Sequence, residues 1–373
     1  MKVPFFDVRY NLGDEDKKAI LERWSALLDH GSFVNGPEIA ELESALASFL
    51  GIEHVVACSN GSDALVLALR ACDIGPGDEV ILPAFTFFAT AGAVARIGAV
   101  PVFADVDPVT YLMTPETAAA RASAKTKAIL PVHLYGCPLD VSAVRAAVES
   151  VVGHSVMVVE DSAQAVGAVH ETGTVGALGD ASAFSCYPTK NLGATGDAGF
   201  VTTLDAERAD RMRALRQHGG GRAYFHDEVG FNFRQSGLQA AALLHHLPRL
   251  TEHNTARRCG AEHYYQLASD LGLGESIQMP QSHPGHVFHQ FVIRTPQRDA
   301  LREHLGKADI GSAIFYPLPL HLQPCFAHLG GAIGDLPASE LAANEVIALP
   351  IYPGVVDEQR EIVMKTIAEF FGG

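Results

Sequence analysis

Four short segments of the chain carry side chains suited to chemistry. In Ser185-Cys186-Tyr187-Pro188-Thr189-Lys190, which runs on to Gly199, a lysine stands just past an apolar run in a loop holding three glycines. An amine held in a shielded pocket is the nucleophile that Schiff-base chemistry with an aldehyde needs. Taken alone, the same lysine reads as a surface-loop residue. The run Val158-Val159-Glu160-Asp161 ends in a carboxylate. A buried carboxylate is costly unless paired, and a protonated ring nitrogen is such a partner. A capping Asp at a strand-to-helix turn is the competing reading. Cys58-Ser59-Asn60-Gly61-Ser62 is a small-residue turn ahead of a helical pattern. Free N–H groups and the helix dipole at such a start bind phosphate without a cationic side chain, unless Ser62 is simply an N-cap. Aromatics in Phe85-Thr86-Phe87-Phe88 directly follow the run Glu79-Val80-Ile81-Leu82. One ring could stack on a planar group, or all could belong to the core.

These segments sit at matching places in an alternating pattern. From Val55 to Thr203, β-branched runs (HVVAC, EVILP, PVFADV, KAILPVH, VMVVED, ASAFSC, GFVTT) alternate with helical patterns from Ser62, near Thr90 and near Val141. Apolar runs separated by helices predict a mainly parallel sheet covered on both faces, an α/β domain. Ligands gather at the carboxyl ends of such strands. Ser59 to Ser62, His133, Asp161 and Lys190 all fall there, which predicts one active site. After Leu250 the pattern changes to a helix over Thr255 to Leu271, the run HVFHQFVIR, a helix near Arg298 and a terminal helix from Asp357. We therefore expect a large domain over 1–250 and a smaller C-terminal α/β domain over 251–373.

Composition narrows the partners. A net charge of -16 excludes a broad electrostatic grip on nucleic acid or an anionic membrane, so any phosphate must be held locally. The most apolar window, Phe87 to Ala104, is interrupted by Gly92, Arg96, Gly98 and Pro101, and predicts no membrane span. The opening residues turn acidic before an apolar stretch develops, so no secretory leader is expected. The 6 cysteines lack metal-ligand spacing and read as reduced thiols of a cytoplasmic protein. The 17 histidines show no HExxH or clustered His/Cys pattern, so no metal is expected.

Phosphate turn, aromatic, carboxylate and lysine follow in that order, each at the end of a predicted strand. With GSFVNGPEIAELE, SNGSDAL, AFTFFATAGAV, PVFADVDP, PVHLYG, VVEDSAQAVGA, FSCYPTKNLGATGDAG, VGFNFRQSGLQAA, YPLPLHLQP and ALPIYPG, the chain resembles the DegT/StrS type of sugar aminotransferases over nearly its whole length. These are pyridoxal-phosphate (PLP) enzymes of the aspartate-aminotransferase fold, fold type I, with a seven-stranded type of sheet in the large domain. The resemblance implies that Lys190 carries PLP as a Schiff base and shuttles the substrate proton, while Asp161 holds the pyridine nitrogen. It implies that Gln164 meets the 3-hydroxyl face, Phe87 stacks on the ring, and Gly61, Ser62 and Ser185 bind the phosphate. Asn232, in Gly230-Phe231-Asn232-Phe233-Arg234, matches an asparagine that completes the phosphate site of the neighbouring subunit, which implies a homodimer with its active site at the interface. Read without the resemblance, Asn232 fits a monomer equally well.

The departures are Cys186 where an aromatic is common, Cys137 after Leu-Tyr-Gly where glutamine is usual, and Gly196-Asp197-Ala198-Gly199 for Gly-Glu-Gly-Gly. None falls on an expected PLP contact. Some members have histidine in place of the lysine and dehydrate sugars, so Lys190 points to transamination. The reaction implied takes an amino group from L-glutamate and gives it to a nucleotide-linked keto sugar, in amino-sugar biosynthesis. His133, Tyr316 and His321 are the candidates for lining the sugar end, although each also reads as a satisfied structural group. Tyr-Pro-Thr-Lys-Asn-Leu-Gly and His-Val-Phe-His-Gln-Phe look more like the branch acting on 3-oxo sugars than the 4-oxo branch. Two other readings share the cofactor site: a cyclitol aminotransferase acting on a scyllo-inosose-like ketone, and a PLP-binding regulator without catalysis. An NAD(P) enzyme would need a GxGxxG turn where this chain has Ser-Asn-Gly-Ser.

Overall fold

The computed structural model describes residues 1–220, 222 and 224–372. Its strands are β1 His54–Cys58, β2 Glu79–Pro83, β3 Val100–Ala104, β4 Thr126–Ile129 and β5 Met157–Asp161. A small hairpin follows, β6 Val169–His170 with β7 Gly173–Thr174, and then β8 Ala181–Ser185 and β9 Gly199–Thr203. All but the hairpin form one 7-stranded sheet in the order β1-β9-β8-β5-β4-β2-β3. From β3 to β8 the pairings are parallel, and β9 runs antiparallel to both β8 and β1. Two reversals return β1 to the direction of β8, so the carboxyl ends of β1, β2, β5 and β8 share one edge. Antiparallel neighbours can be joined by a short loop, whereas parallel ones need a crossover. The β8 to β9 connection is such a loop, and it carries Lys190 onto that edge. Its neck is closed by the Cys186 N–H to Ala198 O and the Ala194 N–H to Cys186 O, both 2.8 Å.

Helices α1 Asp14–His30, α2 Pro37–Leu50, α3 Gly61–Ala71, α4 Phe88–Arg96, α5 Pro115–Ala119, α6 Val141–Val152, α7 Ala206–Arg216 and α8 Gly237–His246 cover the sheet. Strand side chains alternate faces, so Val80 and Leu82 pack with Leu65, Val201 and Met212, while Ile81 packs with Ile129, Val144 and Val148. Helix α3 is buried from Asp63 to Leu69, which explains why it is apolar almost all round. On another face Leu42 and Leu46 of α2 meet the rings of Phe184 and Phe200, which stack at 4.5 Å.

The remaining elements are α9 Leu250–Asp270, β10 Phe291–Arg294, α10 Arg298–Lys307, α11 Pro337–Glu345, β11 Val346–Leu349 and α12 Asp357–Phe371. Strands β10 and β11 pair antiparallel, and Tyr264, Phe291, Ile293, Leu301, Ile347, Val363 and Ile367 form a core around them. Val3 joins that core and bridges Ile310. The run HVFHQFVIR is strand only from Phe291 onward. Before it, Phe288 takes a φ of 42° and the Val287 N–H reaches Gly136 O at 3.0 Å, so the chain turns inward and delivers polar groups to the strand edge. Among the described residues no helix is long and apolar enough to cross a membrane.

Candidate active site

The shared strand edge opens into a cavity of about 660 Å³. At one end β1 runs through Ser59 and Asn60 into α3. Asn60 caps that helix, its Oδ1 accepting the Asp63 N–H at 2.9 Å, while Asp63 Oδ2 accepts from Ser59 Oγ at 2.5 Å and Asn60 Nδ2 at 2.8 Å. These bonds leave Gly61 and Ser62 at the cavity wall, where the first N–H groups of a helix lack intrahelical partners. A Cβ on Gly61 would lie 2.6 Å from Ser185 Cβ, so only glycine lets the helix start press against the end of β8. Gly61, Ser62 and Ser185 therefore form one cradle, and its fixed donors suit a phosphate.

Asp161, the last residue of β5, is 5% exposed. Its Oδ2 accepts from Thr90 Oγ1 at 2.8 Å and its Oδ1 from the Ala163 N–H at 3.2 Å. Burial raises its pKa above the ordinary carboxylate range, and the Thr90 and Ala163 hydrogen bonds and the Lys190 charge oppose that rise. Lys190 closes a turn, its N–H donating to Tyr187 O at 2.8 Å, and its side chain lines the same cavity. Burial lowers its pKa to about 8, with Asp161 pulling the other way. A readily deprotonated amine and a buried carboxylate lacking a full cationic partner thus share one chamber.

Gln164 is aimed by two contacts: its Oε1 accepts the Tyr135 N–H at 2.6 Å, and its Nε2 donates to the Tyr316 hydroxyl at 3.1 Å. Tyr316 lines the cavity, and its ring lies 5.9 Å from that of Phe87. Phe87, the N-cap of α4, is 55% exposed, which marks it as a wall of the cavity rather than a core residue. The donor set fits PLP: a phosphate cradle, a carboxylate for the ring nitrogen, an amine for the aldehyde and an exposed aromatic face. Among the described residues no cluster of three or more His, Cys, Asp or Glu could hold a metal.

Three expected residues lie elsewhere. His133 is sealed in the core, its Nδ1 accepting the Leu139 N–H at 3.2 Å, so its Nε2 carries the proton toward Glu160 Oε2 at 2.9 Å. That bond satisfies a fully buried Glu160, which also accepts from the N–H groups of Gly176, Leu178 and Gly179. His321 pairs with Glu340 Oε1 at 3.2 Å and faces a separate cavity of about 210 Å³ with Arg121 and Asp335. Neither histidine lines the cavity with Lys190, which corrects the expectation that they do. Asn232 is exposed and lies outside its own chain's cavity, beside Phe233, whose carbonyl accepts the Ser59 N–H at 2.9 Å.

Other residues enter unannounced. His289 and Gln290 line the cavity, as do Arg96, Tyr187 and Asp197. Arg96 spans from Asp63 Oδ1 at 3.0 Å to the face of Phe233 at 5.5 Å. His289 lies in the HVFHQF run, and a polar pair just ahead of an apolar strand was the one local signal that could have found it.

Comparison with known proteins gives the family. The DegT/DnrJ/EryC1/StrS aminotransferase family matches residues 14–368. UDP-N-acetyl-3-dehydro-alpha-D-glucosamine 3-aminotransferase of Acidithiobacillus ferrooxidans is 44% identical over 362 residues, covering 96% of this chain and 95% of its own. A protein of Geobacillus stearothermophilus named pleiotropic regulatory protein is 43% identical over 373 residues, covering 100% of this chain and 99% of its own. Among solved structures, NtdA from Bacillus subtilis with bound cofactor PMP superposes with a TM-score of 0.91 at 29% identity, covering 99% of this chain and 85% of that one. The chain belongs to the DegT/DnrJ/EryC1/StrS aminotransferase family, and is a PLP-dependent transaminase of the α/β fold type I.

Proposed function

We propose that the enzyme transfers an amino group from L-glutamate to carbon 3 of a nucleotide-linked 3-oxo sugar, working as a homodimer. The observation that carries the reading is the shared cavity, in which Lys190, with a pKa lowered to about 8, faces the buried Asp161 beside the start of α3. The Acidithiobacillus relative, named for a carbon-3 aminotransferase, supports the ring position. The chain divides near residue 250 into a larger cofactor-binding part, 1–250, and a smaller part, 251–373, with Val3 reaching across to the smaller core.

PLP, when bound, supplies an electron sink for the charge left when a proton leaves the carbon bearing nitrogen. Lys190 takes that proton from the amino acid and returns it to the sugar carbon, a task suited to an amine that is partly neutral near neutral pH. With PLP bound, Asp161 would accept the hydrogen bond of the ring nitrogen and keep its proton in place. Gly61, Ser62 and Ser185 donate to the phosphate, and Asn232 of the partner subunit completes that site. Gln164 would hold the ring hydroxyl and Phe87 would lie against the ring, while Tyr316 borders the sugar end.

The first test is the absorbance of the PLP-loaded protein before and after L-glutamate. Loss of the visible band, with its return on adding a 3-oxo nucleotide sugar, is the expected result. Return with 4-oxo sugars alone would overturn the ring position. A second reading, a PLP-binding regulator, draws on the name of the Geobacillus relative. It predicts a visible band untouched by glutamate.

A further inference from the structure

The cavity contains a histidine that the reaction above does not use. His289 is 5% exposed, and its Nδ1 lies 3.1 Å from Asn191 Oδ1. The polarity of that contact follows from its neighbours. Main-chain carbonyls only accept, so Asn254 Nδ2 donates to Val166 O at 3.0 Å, which turns Asn254 Oδ1 toward Asn191. Asn191 Nδ2 then donates to Asn254 Oδ1 at 2.8 Å and to Val287 O at 3.0 Å. Both amide protons of Asn191 are committed, so its Oδ1 must accept and His289 Nδ1 must donate.

The ring is neutral, because burial holds its pKa well below the ordinary histidine range and the positive charges of Lys190 and Arg257 reinforce that. A neutral imidazole with its proton on Nδ1 has a bare lone pair on Nε2. Gln290 Nε2 donates to that lone pair at 3.4 Å, a long hydrogen bond that a stronger donor such as a hydroxyl would replace. The tautomer is thus set by side chains 63 and 98 residues apart in sequence, and it leaves a buried acceptor beside Lys190. Such an acceptor takes an O–H donor and repels a carboxylate, lone pair against lone pair. A 3-oxo sugar offers a hydroxyl on a carbon beside its ketone, whereas glutamate offers a carboxylate there.

Building on the proposed sugar substrate, we infer that His289 is a specificity residue whose Nε2 accepts a hydrogen bond from a sugar hydroxyl flanking the ketone. Asn191 and Asn254 are positioning residues that fix its tautomer. Two measurements test this. The first is ¹⁵N NMR of histidine-labelled protein, with His289 assigned by difference against His289→Gln. The expected spectrum shows a protonated Nδ1, a bare Nε2 and no titration across the neutral range. A protonated Nε2 would overturn the inference.

The second takes the two half-reactions separately, with L-glutamate and with UDP-N-acetyl-3-dehydro-α-D-glucosamine. His289→Phe should slow the sugar half at least about tenfold more than the glutamate half, the discrimination expected when a site built to pair with a hydroxyl loses its partner. His289→Gln, which keeps an acceptor, should recover part of the difference. Equal loss in both halves would instead assign His289 to holding the Lys190 loop, and no loss would leave it without a role; either overturns the proposal. A wild-type enzyme that reacts with glutamate but with no nucleotide-linked keto sugar overturns the substrate reading itself, an outcome visible before any variant is made.

Discussion

Thr90 Oγ1 donates to Asp161 Oδ2 at 2.8 Å, so the carboxylate ending β5 is held by a hydroxyl from the first turn of α4. Thr90 is itself fixed by Thr86 Oγ1 at 3.1 Å. The bond opposes the rise in pKa that burial imposes, and so favours the ionised form that a cationic ring nitrogen pairs with. Thr90→Val preserves shape and removes the donor. Hydrogen bonds to charged groups are worth about 1.5–3 kcal/mol, so PLP affinity should fall roughly tenfold to a hundredfold. Equilibrium dialysis of the variant checks this, and unchanged affinity would remove Thr90 from the account.

Lys190→Ala should lower turnover by about 10³-fold, the range typical of losing a general acid-base group, and abolish the borohydride-trappable link to PLP. A trapped link in the variant would move the assignment to another amine.

The pH dependence of Lys190 has a definite sign. Its folded pKa, about 8, lies below the ordinary lysine value of 10.5, so the unfolded chain binds the extra proton between them. The stability penalty is therefore full below about pH 8 and disappears as pH rises toward 10.5. In cofactor-free protein, Lys190→Met should raise Tm at pH 7 and much less at pH 10, while capture of PLP by the wild type should speed up as pH rises toward 8. Thermal melts at the two pH values and stopped-flow absorbance measure these.

If Asn232 serves the neighbouring subunit, two defective chains should rescue each other. A hybrid of Lys190→Ala and Asn232→Ala subunits holds one site with both residues intact. With random reassortment half the dimers are hybrids, so mixing at limiting PLP should restore about a quarter of wild-type activity. No recovery, with hybrids verified by native mass spectrometry, would place Asn232 in its own chain's site or in none.

Gly61→Ala places a methyl group 2.6 Å from Ser185 Cβ. Either α3 or β8 must shift, at a cost of about 1–3 kcal/mol. Inorganic phosphate should protect the variant from thermal unfolding less than it protects the wild type, and equal protection would show the cradle tolerates the shift.

Much of this was legible in the sequence because it is local. Apolar β-branched runs such as Val80 to Leu82 announce strands buried on both faces, and the small-residue turn at Asn60-Gly61-Ser62 announces a helix start. A parallel sheet brings strand ends to one edge, so Gly61, Asp161 and Lys190 could be expected together before any coordinates were known. The family pattern added roles for those positions.

Which histidine reaches the cavity was not local. His133, Asp161 and His289 all stand near strand ends, yet His133 turns into the core because buried Glu160 needs a proton donor from across the sheet. His289 reaches Lys190's chamber because the segment ahead of β10 bends inward and Asn191 and Asn254 meet it there. Sequence by itself determined the fold class and which strand ends carry the lysine, the carboxylate and the small-residue turn, since periodicity and turn chemistry act over a few residues; the roles expected of those three came from the family resemblance. Tertiary structure alone decided the partners of each buried polar group, because a buried donor must find its acceptor wherever packing brings one within hydrogen-bond distance, however far along the chain that acceptor lies.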